Sequence, residues 1–298
     1  MPDGPHTNRG APFETLFEMP VPAGQIRGGP LPAALRRYGE RLDVPLHDNG
    51  PTVLVNFVES LDGVITVDPH EGNGAEISGF NEPDRFVMGL LRTLADAIIV
   101  GAGTVRAANT HEWTPRRVHR AYADAYAGWR AELGLAPQPT TVVVTAKGDL
   151  AADHPALSAE DVPVVVVTTR GAAESVRRRL ASRVRVHASD DGEHVTGSAI
   201  ASVLGDLDAR VALCEGGPHL AGTLAKHGLV DELFLTVAPQ LLGRGTHADR
   251  RLSIISGVEF GLDDAPWARL MAVRKSMDHL FLRYGFGPSS RPENRAGR

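Results

Sequence analysis

Short apolar runs along this chain are separated by stretches whose apolar residues recur three or four positions apart. Continuous runs such as the four valines at 164–167 are typical of strands covered on both faces of a sheet. Apolar residues at Phe86, Leu90 and Leu94 predict an amphipathic helix over residues 83–94. The alternation of the two patterns predicts an α/β fold, with a mostly parallel sheet between helices and antiparallel strands added at one edge.

The remaining elements follow from the same two spacings. Apolar and β-branched runs predict strands at residues 52–58, 97–100, 141–145, 162–168, 183–187, 211–214, 233–238 and 280–284. Helical spacing predicts helices at residues 174–180, 198–207 and 218–227, together with a surface helix at 122–133 inserted in a loop.

Both ends of the chain differ in composition from its middle. Residues 1 to about 30 are rich in Pro and Gly, which is typical of a mobile arm, and residues 31–42 are compatible with a short helix. We therefore expect an N-terminal arm at 1–48, one α/β domain at 49–287 and a disordered polar tail at 288–298.

Two predicted strands run into a pair of glycines and then into a helix start, at residues 97–105 and 211–220. Glycine lets the backbone approach a ligand closely, and free N–H groups at a helix start suit a phosphate. We therefore predict that the two joints hold a dinucleotide, although each is also compatible with a tight turn that binds nothing. The candidate cofactor contacts are Gly101, Gly103, Thr104, Val105, Gly216, Gly217, Pro218, His219 and Leu220. The first joint lacks the third glycine and the acidic residue of a standard Rossmann fingerprint.

Three charged residues stand out near these joints. Glu215 follows a strand, where α/β proteins bind ligands, but it is also compatible with a solvated acid at a strand end. Asp84 stands at a helix start, where it either matches the helix dipole or contacts a ligand. Arg92 lies among apolar positions and needs an anionic partner, either an internal carboxylate or a substrate phosphate.

Composition excludes several classes of protein. A formal charge of −5 argues against nucleic-acid binding. Cys214 is the only cysteine, which excludes an internal disulfide and a cysteine-cluster zinc site, and the histidines do not fall at metal-ligand spacings. We therefore expect no metal, and we expect Cys214 to be a buried, inert thiol. Without a signal pattern or a long apolar run, we expect a cytoplasmic protein that does not enter a membrane.

Several motifs, in order, resemble the riboflavin-biosynthesis pyrimidine reductases, the reductase half of the bifunctional deaminase–reductase, in their stand-alone form. They are the segments at 56–63, 77–79, 84–86, 91–92, 95–105, 215–218 and 229–233, with Ala238-Pro239 and Gly243. The resemblance covers residues 52 to 285. It implies a dihydrofolate reductase-like, three-layer α/β/α fold.

The resemblance further implies a homodimer that reduces 5-amino-6-(5-phosphoribosylamino)uracil with NADPH. It places cofactor contacts at Thr66, Thr104 and the helix start at 217–223, and we add Thr145. It places substrate contacts at Asp84, Arg92 and Glu215, and we add Ser60. Asp84 or Glu215 would supply the proton. Reduction of dihydrofolate or another pyrimidine, and a catalytically silent nucleotide-binding relative, are the alternatives.

The chain departs from the family pattern after the first glycine joint. Ala108 stands where the bifunctional enzymes have an Asp, and either Arg116 or Arg117 takes the place of a phosphate-binding Arg. For the 2′-phosphate of NADPH, the ends of neighbouring strands offer Thr145, Thr168 and Arg170.

Overall fold

Parallel strands form the centre of one large sheet. The structure is a computed structural model that describes residues 10–20, 24–68, 74–108, 110–190, 192–245 and 251–287. Its strands are β1 (Glu14–Glu18), β2 (Ile26–Pro30), β3 (Arg41–Pro45), β4 (Thr52–Ser60), β5 (Ala97–Gly101), β6 (Thr140–Thr145), β7 (Val164–Thr169), β8 (Arg185–Ser189), β9 (Val211–Cys214), β10 (Glu232–Ala238), β11 (Ala268–Ser276) and β12 (His279–Phe286).

Helices connect these strands. They are α1 (Gly74–Ile77), α2 (Glu82–Leu94), α3 (Ala102–Ala107), α4 (Pro115–Val118), α5 (Ala123–Glu132), α6 (Pro155–Ser158), α7 (Arg170–Arg179), α8 (Gly197–Asp206) and α9 (Pro218–Lys226). Short 3₁₀ turns occur at Ala33–Leu35 and Arg120–Tyr122. Among the described helices, none is long and apolar enough to cross a membrane.

The sheet has the order β1-β11-β12-β10-β4-β9-β5-β6-β7-β8. Strands β10 to β8 in that order are parallel, and β12, β11 and β1 continue the sheet in antiparallel pairs. The predicted α/β fold, mostly parallel with antiparallel strands at one edge, is therefore confirmed. Strand β11 was not predicted, because its alternating Arg, Lys and apolar residues lack the continuous apolar run of a buried strand.

Two apolar cores lie on opposite faces of the sheet. The four valines of β7 alternate between them: Val164 and Val166 belong to the core that also contains residues of α2, α5 and α7, whereas Val165 and Val167 belong to the core with residues of α8 and α9. This arrangement explains why β7 is apolar at every position, as predicted for a strand covered on both faces.

Helix α2 is held at both ends. The side chain of Asn81 accepts a hydrogen bond from the Asp84 backbone N–H at 2.9 Å and caps the N-terminus. At the other end, the Arg130 guanidinium donates to the carbonyls of Arg92, Thr93 and Ala95 at 2.8–3.1 Å. These carbonyls would otherwise have no partner within the helix, so a buried cation satisfies the helix C-terminus.

Helix α5, which supplies Arg130, was predicted as a surface helix. The helix is confirmed and lies at the surface, but one face of it is buried, with Tyr126, Trp129 and Arg130 turned inward. Tyr126 lies against Gly89 so closely that a Cβ atom there would come within 2.4 Å of the tyrosine ring. Its hydroxyl donates to the Phe86 carbonyl at 3.0 Å. The absence of a side chain at position 89 is what lets α5 dock on α2.

The N-terminal segment is not a mobile arm where it is described. Strand β1 pairs with β11 at the sheet edge, and β2 pairs with β3 in a separate two-stranded sheet. The helix expected at 31–42 is wrong, because only one 3₁₀ turn forms before β3 begins at Arg41. The Pro and Gly residues keep the strands of this segment short, but they do not prevent its apolar side chains from being buried. The buried apolar residues of the segment are Leu31, Leu35, Tyr38, Leu42 and Val44. The predicted tail at 288–298 lies outside the described residues.

A buried ion pair fastens this segment to α2. Both terminal nitrogens of Arg37 donate to the Glu82 carboxylate, at 2.7 and 2.8 Å, and His119 contacts the same carboxylate at 2.6 Å. The Arg37 guanidinium also lies 4.7 Å from the centre of the Phe86 ring. Burial alone would raise the pKa of Glu82, but the hydrogen bonds from His119 and Arg37 lower it to about 2.

We expect Arg37→Met to lower the free energy of unfolding by about 3 kcal/mol, because it leaves a buried carboxylate without its main partner. Arg36→Met is the matched control, since Arg36 is exposed and lies 3.8 Å from an exposed Glu40; its effect should stay within about 0.5 kcal/mol. Urea unfolding monitored by circular dichroism measures both. Equal stability of the two variants would show that the Arg37 contact does not hold the segment.

Since the folded pKa of Glu82 lies below its ordinary value, its stabilising contribution should be present above about pH 5 and disappear as the pH falls toward 2. The difference in stability between wild type and Arg37→Met should therefore shrink over the same pH interval. A difference that stays constant from pH 7 to pH 3 would contradict the assignment to Glu82.

Candidate active site

A cleft of about 1250 Å³ opens over the carboxyl ends of the parallel strands. The ends of β4, β9, β5 and β6 form its floor, and helix α2 forms one wall. Parallel strands direct their carboxyl ends to the same edge of a sheet, which is where α/β proteins bind ligands.

The two glycine joints meet in the middle of this floor. The Gly101 N–H donates to the Gly216 carbonyl at 2.8 Å, and the Glu215 N–H donates to the Ile99 carbonyl at 3.1 Å. Gly216 has φ of +101°, which favours glycine, and the Gly216–Gly217 peptide is cis. A Cβ atom at Gly216 would lie 3.3 Å from the Phe57 ring. The joints therefore form one backbone-lined cradle, as the sequence predicted from two separated motifs.

Helix α9 begins at this cradle. Gly217 is its N-cap residue, and no side chain makes a capping hydrogen bond there. A Cβ atom at Gly217 would lie 3.4 Å from the Thr104 hydroxyl, so that hydroxyl stands next to the helix start. Backbone N–H groups at an uncapped N-terminus and an adjacent hydroxyl suit a phosphate group. The pyrophosphate of a dinucleotide fits the cradle on these grounds.

Arg92 and Glu215 form a buried ion pair beside the cradle. The Arg92 Nε donates to one carboxylate oxygen at 2.7 Å and Nη2 donates to the other at 2.5 Å. Both side chains are almost fully buried. The sequence left open whether the partner of Arg92 is internal or a substrate phosphate; in this structure it is an internal carboxylate.

Every N–H donor of Arg92 has a partner within the protein. Besides the two bonds to Glu215, Nη1 donates to the carbonyls of Glu112 and Thr114 at 3.4 and 3.0 Å, and Nη2 donates to His111 Nε2 at 2.9 Å. Burial, followed by the charge of Arg92, lowers the pKa of His111 to about 3, so its ring is neutral and Nε2 accepts. Arg92 therefore has no donor left for a ligand, whereas Glu215 is one of the residues that line the cleft.

Asp84 lies on the same face of α2 as Arg92, with Met88 between them, and all three line the cleft. Burial raises the pKa of Asp84 to about 6, against the opposing effects of a hydrogen bond with Thr236 and the charge of Arg85. The nearby Glu215 carboxylate raises that pKa further. A buried carboxyl that titrates near neutral pH is suited to hold and release a proton.

Most of the predicted site residues line this cleft. They are Thr66, Asp84, Arg92, Gly101, Gly103, Thr104, Thr145, Glu215, Gly216, Gly217, Pro218, His219 and Leu220. Ser60 does not, because its buried hydroxyl bonds Asp62 at 2.6 Å and the Val64 N–H at 3.0 Å inside the turn. Val105 packs in the core. Their roles as ligand contacts remain predictions.

Of the two arginines that the sequence left open, Arg117 lines the cleft, whereas Arg116 bonds Asp161 at the surface at 2.6 Å. Three further cleft residues, His111, Arg106 and Lys147, were not predicted from the sequence. No motif marks these positions, since each depends on how a loop folds back over a strand end. Thr168 and Arg170 lie outside the cleft: Thr168 is buried, and Arg170 pairs with Asp190 at the surface.

Two further predictions concern the reactivity of Cys214 and the binding of a metal ion. Cys214 is buried, and its burial raises the pKa of the thiol to about 12, which agrees with an inert cysteine. Within the described ranges, no group of three or more His, Cys, Asp or Glu side chains is arranged to hold a metal ion.

A mostly parallel sheet, with a backbone-lined cradle and buried carboxyl groups at the carboxyl ends of its strands, defines the class of a nucleotide-dependent α/β enzyme. Within this class, the chain belongs to the RibD C-terminal domain family, which it matches over residues 51–256. The predicted resemblance to the riboflavin-biosynthesis pyrimidine reductases is thereby confirmed.

Two similar proteins have names that specify a reaction or pathway. The 2,5-diamino-6-ribosylamino-4(3H)-pyrimidinone 5′-phosphate reductase of Archaeoglobus fulgidus is 30% identical over 193 residues, which cover 65% of this chain and 82% of the relative. The riboflavin biosynthesis protein RibD of Mycobacterium tuberculosis is 28% identical over 223 residues, 75% of this chain. The match covers 50% of that RibD, so this chain corresponds to about half of it.

Solved structures agree with the fold. A pyrimidine reductase-like protein from Corynebacterium diphtheriae superposes with a TM-score of 0.62 at 22% identity, over 80% of this chain and 92% of the other. A deaminase/5-amino-6-(5-phosphoribosylamino)uracil reductase from Thermotoga maritima gives 0.60 at 23% identity, over 80% of this chain and 57% of the other. At these identities the likeness concerns the fold.

We expect Arg92→Leu to lower the free energy of unfolding by about 3–5 kcal/mol, because it strands the buried Glu215 carboxylate. Adding Glu215→Leu should recover part of that loss, since the unpaired charge is then removed. Arg170→Leu removes an exposed ion pair and should change stability by less than about 0.5 kcal/mol. Thermal and urea unfolding measure all three. An Arg92→Leu variant as stable as wild type would show that the guanidinium is reserved for a ligand.

Proposed function

We propose that this chain is an NADPH-dependent reductase of riboflavin biosynthesis that acts on a ribosylaminopyrimidine phosphate, 5-amino-6-(5-phosphoribosylamino)uracil. The observation that carries the proposal is the position of two buried carboxyl groups, Asp84 and Glu215, beside a backbone cradle that fits a pyrophosphate. Membership of the RibD C-terminal domain family and the names of the relatives support it.

The size of the cleft agrees with a two-ligand reaction. A pocket for one small molecule usually measures roughly 300–1,000 Å³, and this cleft of about 1250 Å³ exceeds that range. The cradle of Gly216 and Gly217, with the Thr104 hydroxyl, would hold the cofactor pyrophosphate and its adjoining ribose. The helix wall with Asp84 is then left for the pyrimidine. When bound, the nicotinamide supplies a hydride to C1′ of the opened, imine form of the substrate sugar.

The two carboxyl groups differ in their surroundings and therefore in their roles. The Glu215 carboxylate is matched by the Arg92 guanidinium, so it is suited to accept hydrogen bonds from substrate N–H or O–H groups in a fixed orientation. Asp84 has no such cation bonded to it, and burial favours its protonated form. We assign the proton donor to Asp84, which would protonate the imine nitrogen directly or through water.

The substrate phosphate would bind Arg117. Of the two arginines that match the family's phosphate-binding position, Arg117 lines the cleft, and among the described residues its hydrogen-bond partner is the Thr110 carbonyl, at 3.1 Å. Arg116 is already paired with Asp161 and Glu112 at the surface. Arg117 therefore replaces Arg92 as the candidate phosphate contact.

Homodimer formation and a cytoplasmic location complete the proposal. The outermost strand β1 is exposed throughout, and its Leu16 and Phe17 side chains are exposed apolar groups at a sheet edge. An open edge of this kind is a template for pairing with another chain, and a second copy of the chain is the simplest partner. Light scattering reports the mass that decides between monomer and dimer.

We expect the reaction rate to fall as the pH rises above about 6, because Asp84 must be protonated to donate and its pKa is raised to about 6. Asp84→Asn should lower kcat by roughly 10²- to 10⁴-fold and remove this dependence. Asp124→Asn, on an exposed position of α5, is the control and should keep both the rate and the profile.

The same carboxyl offers a check on folding. Because its folded pKa lies above the ordinary value of 3.8, ionisation of Asp84 should cost stability progressively as the pH rises from about 4 to 6. Asp84→Asn should therefore be at least as stable as wild type at pH 7. If Asp84→Asn is both inactive and unfolded, its loss of rate reports on folding and not on proton donation. A folded variant whose rate still falls as the pH rises above about 6 would refute the assignment of Asp84 as the proton donor.

We expect the chain to oxidise NADPH faster with the phosphorylated ribosylaminouracil than with dihydrofolate, followed by nicotinamide absorbance. Arg117→Met should lower kcat/KM for the phosphorylated substrate by about 10- to 100-fold, the value of one charge-assisted bond to a phosphate. The unphosphorylated ribosylaminouracil should be affected far less. Arg116→Met is the matched control, with kcat/KM close to wild type.

Each other outcome of this assay has a definite meaning. Faster turnover of dihydrofolate would replace the proposed substrate with a pterin. Tight NADPH binding without oxidation of any pyrimidine or pterin would identify a catalytically silent relative. Preference for the 2,5-diaminopyrimidinone named for the archaeal relative would keep the reaction and change the pyrimidine.

A further inference from the structure

Two cations line the end of the cleft that lies farthest from Asp84. Lys147 follows β6 and is exposed, and no described carboxylate lies within ion-pair distance of its ammonium group. Arg106, at the end of α3, is held by a hydrogen bond from Nη1 to the Asp149 carbonyl at 3.0 Å. The Asp149 carboxylate is 3.9 Å from the same nitrogen and is largely exposed, so it neutralises Arg106 only weakly.

The order of the strands sets the direction in which an extended ligand crosses the cleft. Asp84 is bonded to Thr236 of β10, the cradle lies at the ends of β9 and β5, and Lys147 follows β6. In the sheet these strands run β10, β4, β9, β5, β6. With strands about 4.8 Å apart, the two ends of the cleft are separated by about 19 Å.

We propose that Lys147 and Arg106 bind the 2′-phosphate of the cofactor and thereby make this chain select NADPH over NADH. The inference rests on the proposed function, because the hydride must be delivered beside Asp84 and Glu215. With the reacting ring at that end and the pyrophosphate on the cradle, the adenosine half extends toward the end of β6. Lys147 and Arg106 are the cations that meet it there.

The chemistry of the two side chains suits a phosphomonoester. Such a group carries about −1.5 to −2 charges at pH 7 and three acceptor oxygens. An ammonium group on a flexible stem and a guanidinium anchored by one backbone bond supply both the charge and several donors. Gly103 lies between the cradle and Arg106, and an added Cβ there would come within 4.0 Å of Arg106 Nη2, so the guanidinium lies beside this glycine.

Other cations near the cleft are less suited to this role. Arg170 is outside the cleft and paired with Asp190. Arg85 and Arg117 line the cleft on the side of α2 and α4, where the pyrimidine is expected. Lys226 is exposed at the C-terminal end of α9, at the opposite end of that helix from the cradle. Lys226 therefore provides a control of the same chemistry.

Calorimetric titration of the full chain with NADP⁺ and with NAD⁺, in the absence of substrate, tests the proposal. We expect wild type to bind NADP⁺ at least about tenfold more tightly than NAD⁺, the value of one charge-assisted contact. Lys147→Met should weaken NADP⁺ binding by about tenfold and leave NAD⁺ binding within about twofold. Arg106→Met should act in the same direction, and the double variant should bind the two dinucleotides about equally.

Two control variants distinguish charge from structure. Lys147→Arg should keep the preference for NADP⁺, and Lys226→Met should bind both dinucleotides like wild type. Titration with adenosine 2′,5′-bisphosphate and adenosine 5′-monophosphate should show the same loss in Lys147→Met, which locates the effect at the 2′-phosphate and not at the nicotinamide.

The outcomes separate the two proposals. Equal affinity of wild type for NADP⁺ and NAD⁺, or an equal loss of both in Lys147→Met, would overturn the 2′-phosphate assignment and leave the reductase proposal standing. Failure of wild type to bind either dinucleotide would overturn the reductase proposal itself, and this inference with it.

Discussion

The buried ion pair between Arg92 and Glu215 is the interaction on which the cleft depends. It joins the middle of the sheet, where β9 ends, to helix α2, which forms the cleft wall. Removing two charges from water costs several kcal/mol for each ion, so the pair persists only because its remaining donors are satisfied. His111 and two backbone carbonyls complete the set around Arg92. Consequently the loop at 111–114 is held to the ion pair, and the Glu215 carboxylate has one orientation in the cleft.

Two other arginines fasten the same helix. Arg130 satisfies the C-terminal carbonyls of α2, and Arg37 binds Glu82 in its first turn. Arg37 lies in the N-terminal segment and Arg130 lies in α5, and neither belongs to the alternating strands and helices that build the sheet. Both segments therefore help to support the site. A helix fixed at its first turn by Arg37 and at its last turn by Arg92 and Arg130 holds Asp84 in a buried position. This burial is what raises the pKa of Asp84 to about 6. Structural arginines thus help to keep a neighbouring carboxyl group buried.

Some basic side chains around the site are neutralised within the protein, whereas others keep their charge available for a ligand. Every N–H donor of Arg92 has a partner within the protein, and Arg116 and Arg170 form ion pairs at the surface. Arg117 and Lys147, at different positions along the cleft, keep charge available. Under the proposed function, the substrate phosphate and the cofactor phosphate would bind at separate places. A chain with a net negative charge would then still offer a separate cation to each of two anionic ligands.

The local pattern of the sequence was sufficient to predict the central strands, helix α2 and the two glycine joints. Continuous apolar runs, helical spacing and glycine pairs each report the surroundings of a few consecutive residues, and those surroundings are set by the covering of one strand or one helix. The motifs also indicated the family and placed Asp84, Glu215 and the cradle in one site. The tertiary structure alone decided the partner of Arg92, the burial of one face of α5 and of the N-terminal segment, and which arginine faces the cleft. Those outcomes depend on contacts between residues far apart in the chain, such as Arg92 with Glu215 and Arg37 with Glu82, and no local spacing encodes the distance between them.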